Sequence, residues 1–98
     1  MNQKRIELLR RAAERGKYSP LFAHLSSLTQ DRWATSFGEI EKILGFELPD
    51  SAHIHRPWWA NTGAKAGHSQ ALAWNMAGWK TAEVSQENQT VVFLKSDD

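Results

Sequence analysis

Between Ser51 and Ala82 the chain runs for 32 residues without an Asp or Glu, yet this stretch holds four of the five tryptophans and three of the four histidines. Trp58, Trp59, Trp74 and Trp79 each carry roughly 150–250 Å² of ring surface that is costly to leave in water. A chain of 98 residues has room for one core. This segment therefore supplies much of that core, and its cations Arg56, Lys65 and Lys80 are left to face water or a polyanion.

The rest of the charge is distributed unevenly. Residues 1–17 carry a balance of +4 and the remainder −3, for a chain total of +1. Five of the nine acids after residue 17 fall between Asp31 and Asp50, so a basic N-terminus and the acid-free stretch are separated by an acidic segment. Such a layout suits a protein that meets nucleic acid with one face. The absence of cysteine excludes disulfides, thiolate zinc sites and cysteine nucleophiles, and fits a reducing compartment. No apolar run is long enough for a membrane span, and the charged start does not read as a signal peptide. The expected location is the cytoplasm.

Periodicity predicts an amphipathic, strongly cationic helix over about Gln3–Arg15, ended by Gly16. Ser19-Pro20 reads as a cap and first-turn proline opening a second helix to about Ser27. Arg32 to Thr35 reads as a brief strand. Ser36-Phe37-Gly38-Glu39 has the spacing of a capping box, followed by the apolar stripe Phe37, Ile40, Ile43, Leu44 and a terminating Gly45. Asp50-Ser51 caps one further short turn. A helix from His68 or Ser69 to Gly78 follows a loop over Thr62 to Gly67. Strands at Trp79–Ser85 and Thr90–Lys95 are joined through Gln86 to Gln89.

This order gives an α+β fold, a winged helix-turn-helix-like domain over residues 18–98 with a C-terminal β-hairpin, preceded by an extra basic helix over residues 1–17. The helix starting at Ser69 then takes the place of the one that enters the major groove. Its connection to the capped helix is much longer than the usual tight turn. Gln70, beside the positive N-terminal end of that helix with His68 and Ser69, can bond a base edge, whereas Asn75 lies roughly 140° away on the wheel. In Arg56-Pro57-Trp58-Trp59-Ala60-Asn61 an extended backbone would send the two indoles to opposite sides, one to the core and one outward for stacking. The bland alternative locks both onto the domain.

His53-Ile54-His55, with His68, invites a metal reading, but an H-x-H pair alone is weak support, and the local lack of carboxylates opposes a metal-dependent nuclease. No Gly-rich phosphate loop or nucleophile–base pair is visible. The expectation is a non-catalytic module that needs no cofactor or metal. Arg56, Trp59, Asn61, Lys65, His68, Ser69 and Gln70 form its nucleic-acid-binding surface, and Lys80, Arg10 and Arg11 add phosphate contacts. DNA is the expected partner. The main alternative is a protein-binding module of a phage or mobile element, gripping a host protein or a second copy through the N-terminal helix. A small metal-dependent nuclease comes third.

The strings Tyr18-Ser19-Pro20-Leu21, Ser36 to Gly45, Arg56 to Asn61, His68-Ser69-Gln70-Ala71 and Ala77-Gly78-Trp79 together resemble a family of small bacterial and phage domains. The resemblance spans about Tyr18 to Lys95 and leaves the basic helix outside. It implies a DNA-associated or regulatory role and brings no catalytic residues.

Overall fold

The computed structural model describes residues 3–61 and 69–96. Helix α1 spans Gln3–Arg15 and α2 spans Ser19–Ser27; strand β1, Arg32–Ser36, leads directly into α3, Phe37–Leu44. A short helix α4, Asp50–Ile54, is followed by a 3-10 turn at Arg56–Trp59, and then come α5, Ser69–Met76, β2, Trp79–Ser85, and β3, Thr90–Lys95. The described chain is an α+β fold with a small antiparallel sheet of order β1-β3-β2.

Local chemistry sets the element boundaries. Gly16 closes α1 by donating its amide to the Ala12 carbonyl at 2.8 Å. A β-carbon at Gly16 would lie 2.9 Å from that same oxygen, so no other residue fits there without a shift. The cap of α2 differs from the sequence expectation: Tyr18 occupies the cap position without a side-chain bond, and Ser19 is already helical. The Ser19 amide is taken by the Gly16 carbonyl at 3.0 Å, and Pro20 sits in the first turn, where a missing N–H costs nothing.

The capping box is half formed. Ser36 Oγ accepts the Glu39 amide at 3.1 Å, as expected. The Glu39 carboxylate instead accepts the Thr35 hydroxyl at 2.7 Å. One more orphan donor of α3, the Phe37 amide, is satisfied by the Gln89 carbonyl in the hairpin turn at 2.9 Å. Gly45 ends α3 at φ +85°, a left-handed conformation that a glycine adopts without strain.

In the sheet, Trp33 stands opposite Phe93 and Thr35 opposite Val91, and across β3 Thr81 stands opposite Phe93. These residues, with Trp79, turn inward against the helices, and β2 is bulged between Thr81 and Val84. Rings from every layer meet in the interior. Phe37 stacks on Trp59 with centroids 4.9 Å apart, Trp59 on Trp74 at 6.0 Å, and Trp33 on Phe93 at 5.6 Å. Trp74 meets Phe93 edge-on at 5.7 Å, so one aromatic column links α3, the 3-10 turn, α5, β3 and β1.

Gly45→Ala forces a β-carbon into a left-handed backbone and is expected to lower stability by about 1 kcal/mol. Ser36→Ala removes the cap of α3 and is expected to cost about as much, ~1 kcal/mol. Urea unfolding should show both as a lower midpoint with unchanged slope.

Candidate nucleic-acid interface

The segment Arg56 to Asn61 is not extended. Pro57 favours a 3-10 turn, which turns both indoles toward the domain instead of splaying them. Trp59, expected on the contact surface, is 1% exposed, and its indole N–H donates to the Ala52 carbonyl at 2.9 Å. Its ring lies between Phe37 and Trp74. Trp58 is the half-buried member of the pair, meeting Trp59 edge-on at 4.7 Å and Tyr18 at 5.9 Å. Arg56 and Pro57 are exposed.

Asn61 was expected at the surface as well, but its side chain is a junction of the core. Its Oδ1 accepts the Trp74 indole N–H at 3.1 Å and the Thr81 amide at 2.8 Å, and its Nδ2 donates to the Thr81 carbonyl at 3.0 Å. One carboxamide thus satisfies both peptide groups that edge strand β2 turns away from β3 at Thr81. The Thr81 hydroxyl reaches the Trp59 carbonyl at 2.7 Å, and Asn75 Nδ2 donates to the Asn61 carbonyl at 2.6 Å. Gln70 is also internal, 8% exposed, with Nε2 donating to the Trp58 carbonyl at 3.1 Å.

These bonds reassign the helix expected to read bases. α5 packs against α1, α2 and β2, and Ser69 is its one exposed residue. Gln70 and Asn75 hold the turn before α5 in place and do not present their amides to a groove. Lys65 and His68 lie outside the described residues. Among the described residues no three His, Asp or Glu groups converge to hold a metal; His53 lies edge-on to Phe37 at 5.3 Å.

The exposed cations lie elsewhere. Arg10, Arg11, Arg56 and Lys80 are all exposed. On α1 the buried Ala13 marks the packed side. At ~100° per residue Lys4, Arg11 and Arg15 fall within roughly 40° of one another on the side opposite Ala13. Lys4 and Arg15 are additions to the residues singled out from sequence, and the helical wheel was the signal that aligns them with Arg11. Thr81, another addition, was signalled by a polar residue at an inward position of β2, which requires a buried partner. On the same wheel the exposed Glu7 and Glu14 flank this line, roughly 40° and 60° from Arg11; on α3, Glu39 accepts the Thr35 hydroxyl and Glu41 the Leu48 amide at 2.7 Å.

A cleft of about 310 Å³ opens beside the 3-10 turn, lined by Ser51, His55, Pro57, Trp58 and Gln70. Tyr18 buttresses Trp58 from behind, and desolvation by burial pushes its phenol above the ordinary 10.0.

A family model described as a domain of unknown function (DUF7662) matches residues 18–96, leaving α1 outside the match. No curated protein and no solved structure matches the chain.

Asn61→Ala leaves the Trp74 indole and the Thr81 amide without acceptors and is expected to cost about 3 kcal/mol, measured as a shift of the urea midpoint. Because the folded state keeps the Tyr18 proton to higher pH than the unfolded chain does, stability should be full below pH 10.0 and fall as pH rises past it. Absorbance titration of this single tyrosine, with unfolding midpoints on either side of that pH, checks the sign.

Proposed function

The chain belongs to the DUF7662 family, and we propose that it is a non-catalytic, regulatory nucleic-acid-binding module whose ligand is duplex DNA held mainly by its phosphates. The observation that carries this reading is the outer line of α1, where Lys4, Arg11 and Arg15 are exposed on one side of the helix. Over 11 residues that line is about 16 Å long, a distance over which B-DNA presents roughly ten phosphate charges. Arg10, Arg56 and Lys80 add exposed cations.

The topology supports the same reading. α2, β1, α3, α5, β2 and β3 follow one another in the order of a winged helix-turn-helix, with the sheet order β1-β3-β2 that such a wing has. α4 and the 3-10 turn stand where the tight turn would be. With α5 enclosed by its neighbours, recognition rests on the backbone and carries little base readout. Glu39 and Glu41 hold local structure, which leaves them poorly placed as catalytic groups and accords with a non-catalytic role.

A second reading, a partner protein or second copy docked on α1, draws on Leu8, which is 60% exposed on the side away from Ala13. Leu8→Ser would weaken that contact and leave DNA binding intact.

Affinity for a labelled mixed-sequence duplex should fall steeply with salt, and the Arg11→Ala/Arg15→Ala double variant should flatten the log–log slope by about 2. Circular dichroism would show the double variant still folded. Absence of binding at low salt, or a slope the double variant leaves unchanged, would sink the proposal.

A further inference from the structure

The two adjacent tryptophans have different surroundings. Trp59 has Phe37 stacked at an interplanar angle of 23° and Trp74 at 12°, so its ring is sandwiched. Trp58 meets Tyr18 at 74°, Trp59 at 72° and Trp74 at 60°, and among the described residues no ring lies parallel to it. It lines the open cleft with Ser51, His55, Pro57 and Gln70.

The chemistry of that cleft is specific. An indole and a proline ring offer flat apolar surface, while a hydroxyl, an imidazole and a carboxamide offer both donors and acceptors. The Gln70 carboxamide, its Nε2 donating to the Trp58 carbonyl, is held in one orientation in the lining of the cleft. Arg56, the residue opening the same turn, is exposed and supplies a cation beside the cleft. Apolar faces with a polar edge, next to an anion, describe a nucleotide.

We propose that the cleft between Trp58 and Pro57 receives one unpaired nucleobase of a single-stranded end or loop, stacked on Trp58, with Arg56 on its phosphate. This rests on the nucleic-acid reading above and deepens it: α1 holds the duplex phosphates while the cleft selects DNA with an unpaired base. A duplex has its bases stacked and paired, so it cannot fill the cleft without the cost of extruding one.

The experiment compares a blunt duplex with the same duplex carrying a short single-stranded tail, at one salt concentration. The tailed duplex is expected to bind about tenfold more tightly, the scale of one base stacked on an aromatic ring. Trp58→Ala risks the core, so the informative variant is Ser51→Phe, which fills the cleft from an exposed position on α4. It should abolish the advantage of the tail while leaving affinity for the blunt duplex unchanged; Arg56→Ala should reduce the advantage. If the tailed and blunt duplexes bind equally, or Ser51→Phe keeps the advantage, the cleft proposal is overturned while duplex binding stands. If neither DNA binds, both proposals fall.

Discussion

The pairing of the Asn61 carboxamide with the Thr81 peptide is the contact on which the other elements converge. Both peptide groups of Thr81 are met by one side chain, as a neighbouring strand would meet them. The same oxygen fixes the Trp74 indole and with it the rotation of α5 about its axis. Through Asn75 the helix returns a bond to the Asn61 backbone, so turn, helix and strand each constrain the other two. Buried amides cost free energy unless they are satisfied, and here the network satisfies them mutually.

Around that junction the aromatic rings fill the interior. Trp59 lies at the centre, and its carbonyl and indole nitrogen are bound to Thr81 and Ala52. The Ala52 carbonyl also accepts Gln86 Nε2 at 3.0 Å, tying the hairpin turn to α4. Placing so much aromatic surface under α5 requires cover on its far side, and α1 and α2 provide it. The enclosure of α5 and the presentation of charge by α1 therefore have one cause: the helix that shields the core is the helix whose other side carries the cations.

Much of the fold was legible in the sequence. Ser36 with Glu39, the stripe from Phe37 to Leu44 and Gly45 defined α3 because capping and periodicity act within a few residues, and the two hairpin strands followed from alternation in the same way. The site was less legible. Asn61 and Gln70 look like ligand-binding amides from sequence, since nothing local says that an amide's partner is a peptide group 20 positions away or a carbonyl 12 positions away. An extended backbone would give the two tryptophans opposite roles. Pro57 in a 3-10 turn reverses which one is sequestered. The exposure of Arg10 and Arg11 is legible because helix-surface charge is a local property, and the alignment of Arg15 with Arg11 needs only the wheel.

The sheet order has a consequence for how the chain acquires its structure. β3 is the middle strand, yet it follows both of its neighbours in sequence, and its pairing with β1 joins Trp33 to Phe93 across sixty positions. Until β3 is available, β1 has no partner and the aromatic column lacks Phe93. Closing so long a loop costs entropy that is recovered only when the last strand docks. During synthesis the helices can form as they emerge, but the sheet must wait for the strand from Thr90 to Lys95, so folding of the core is deferred until translation has passed that point.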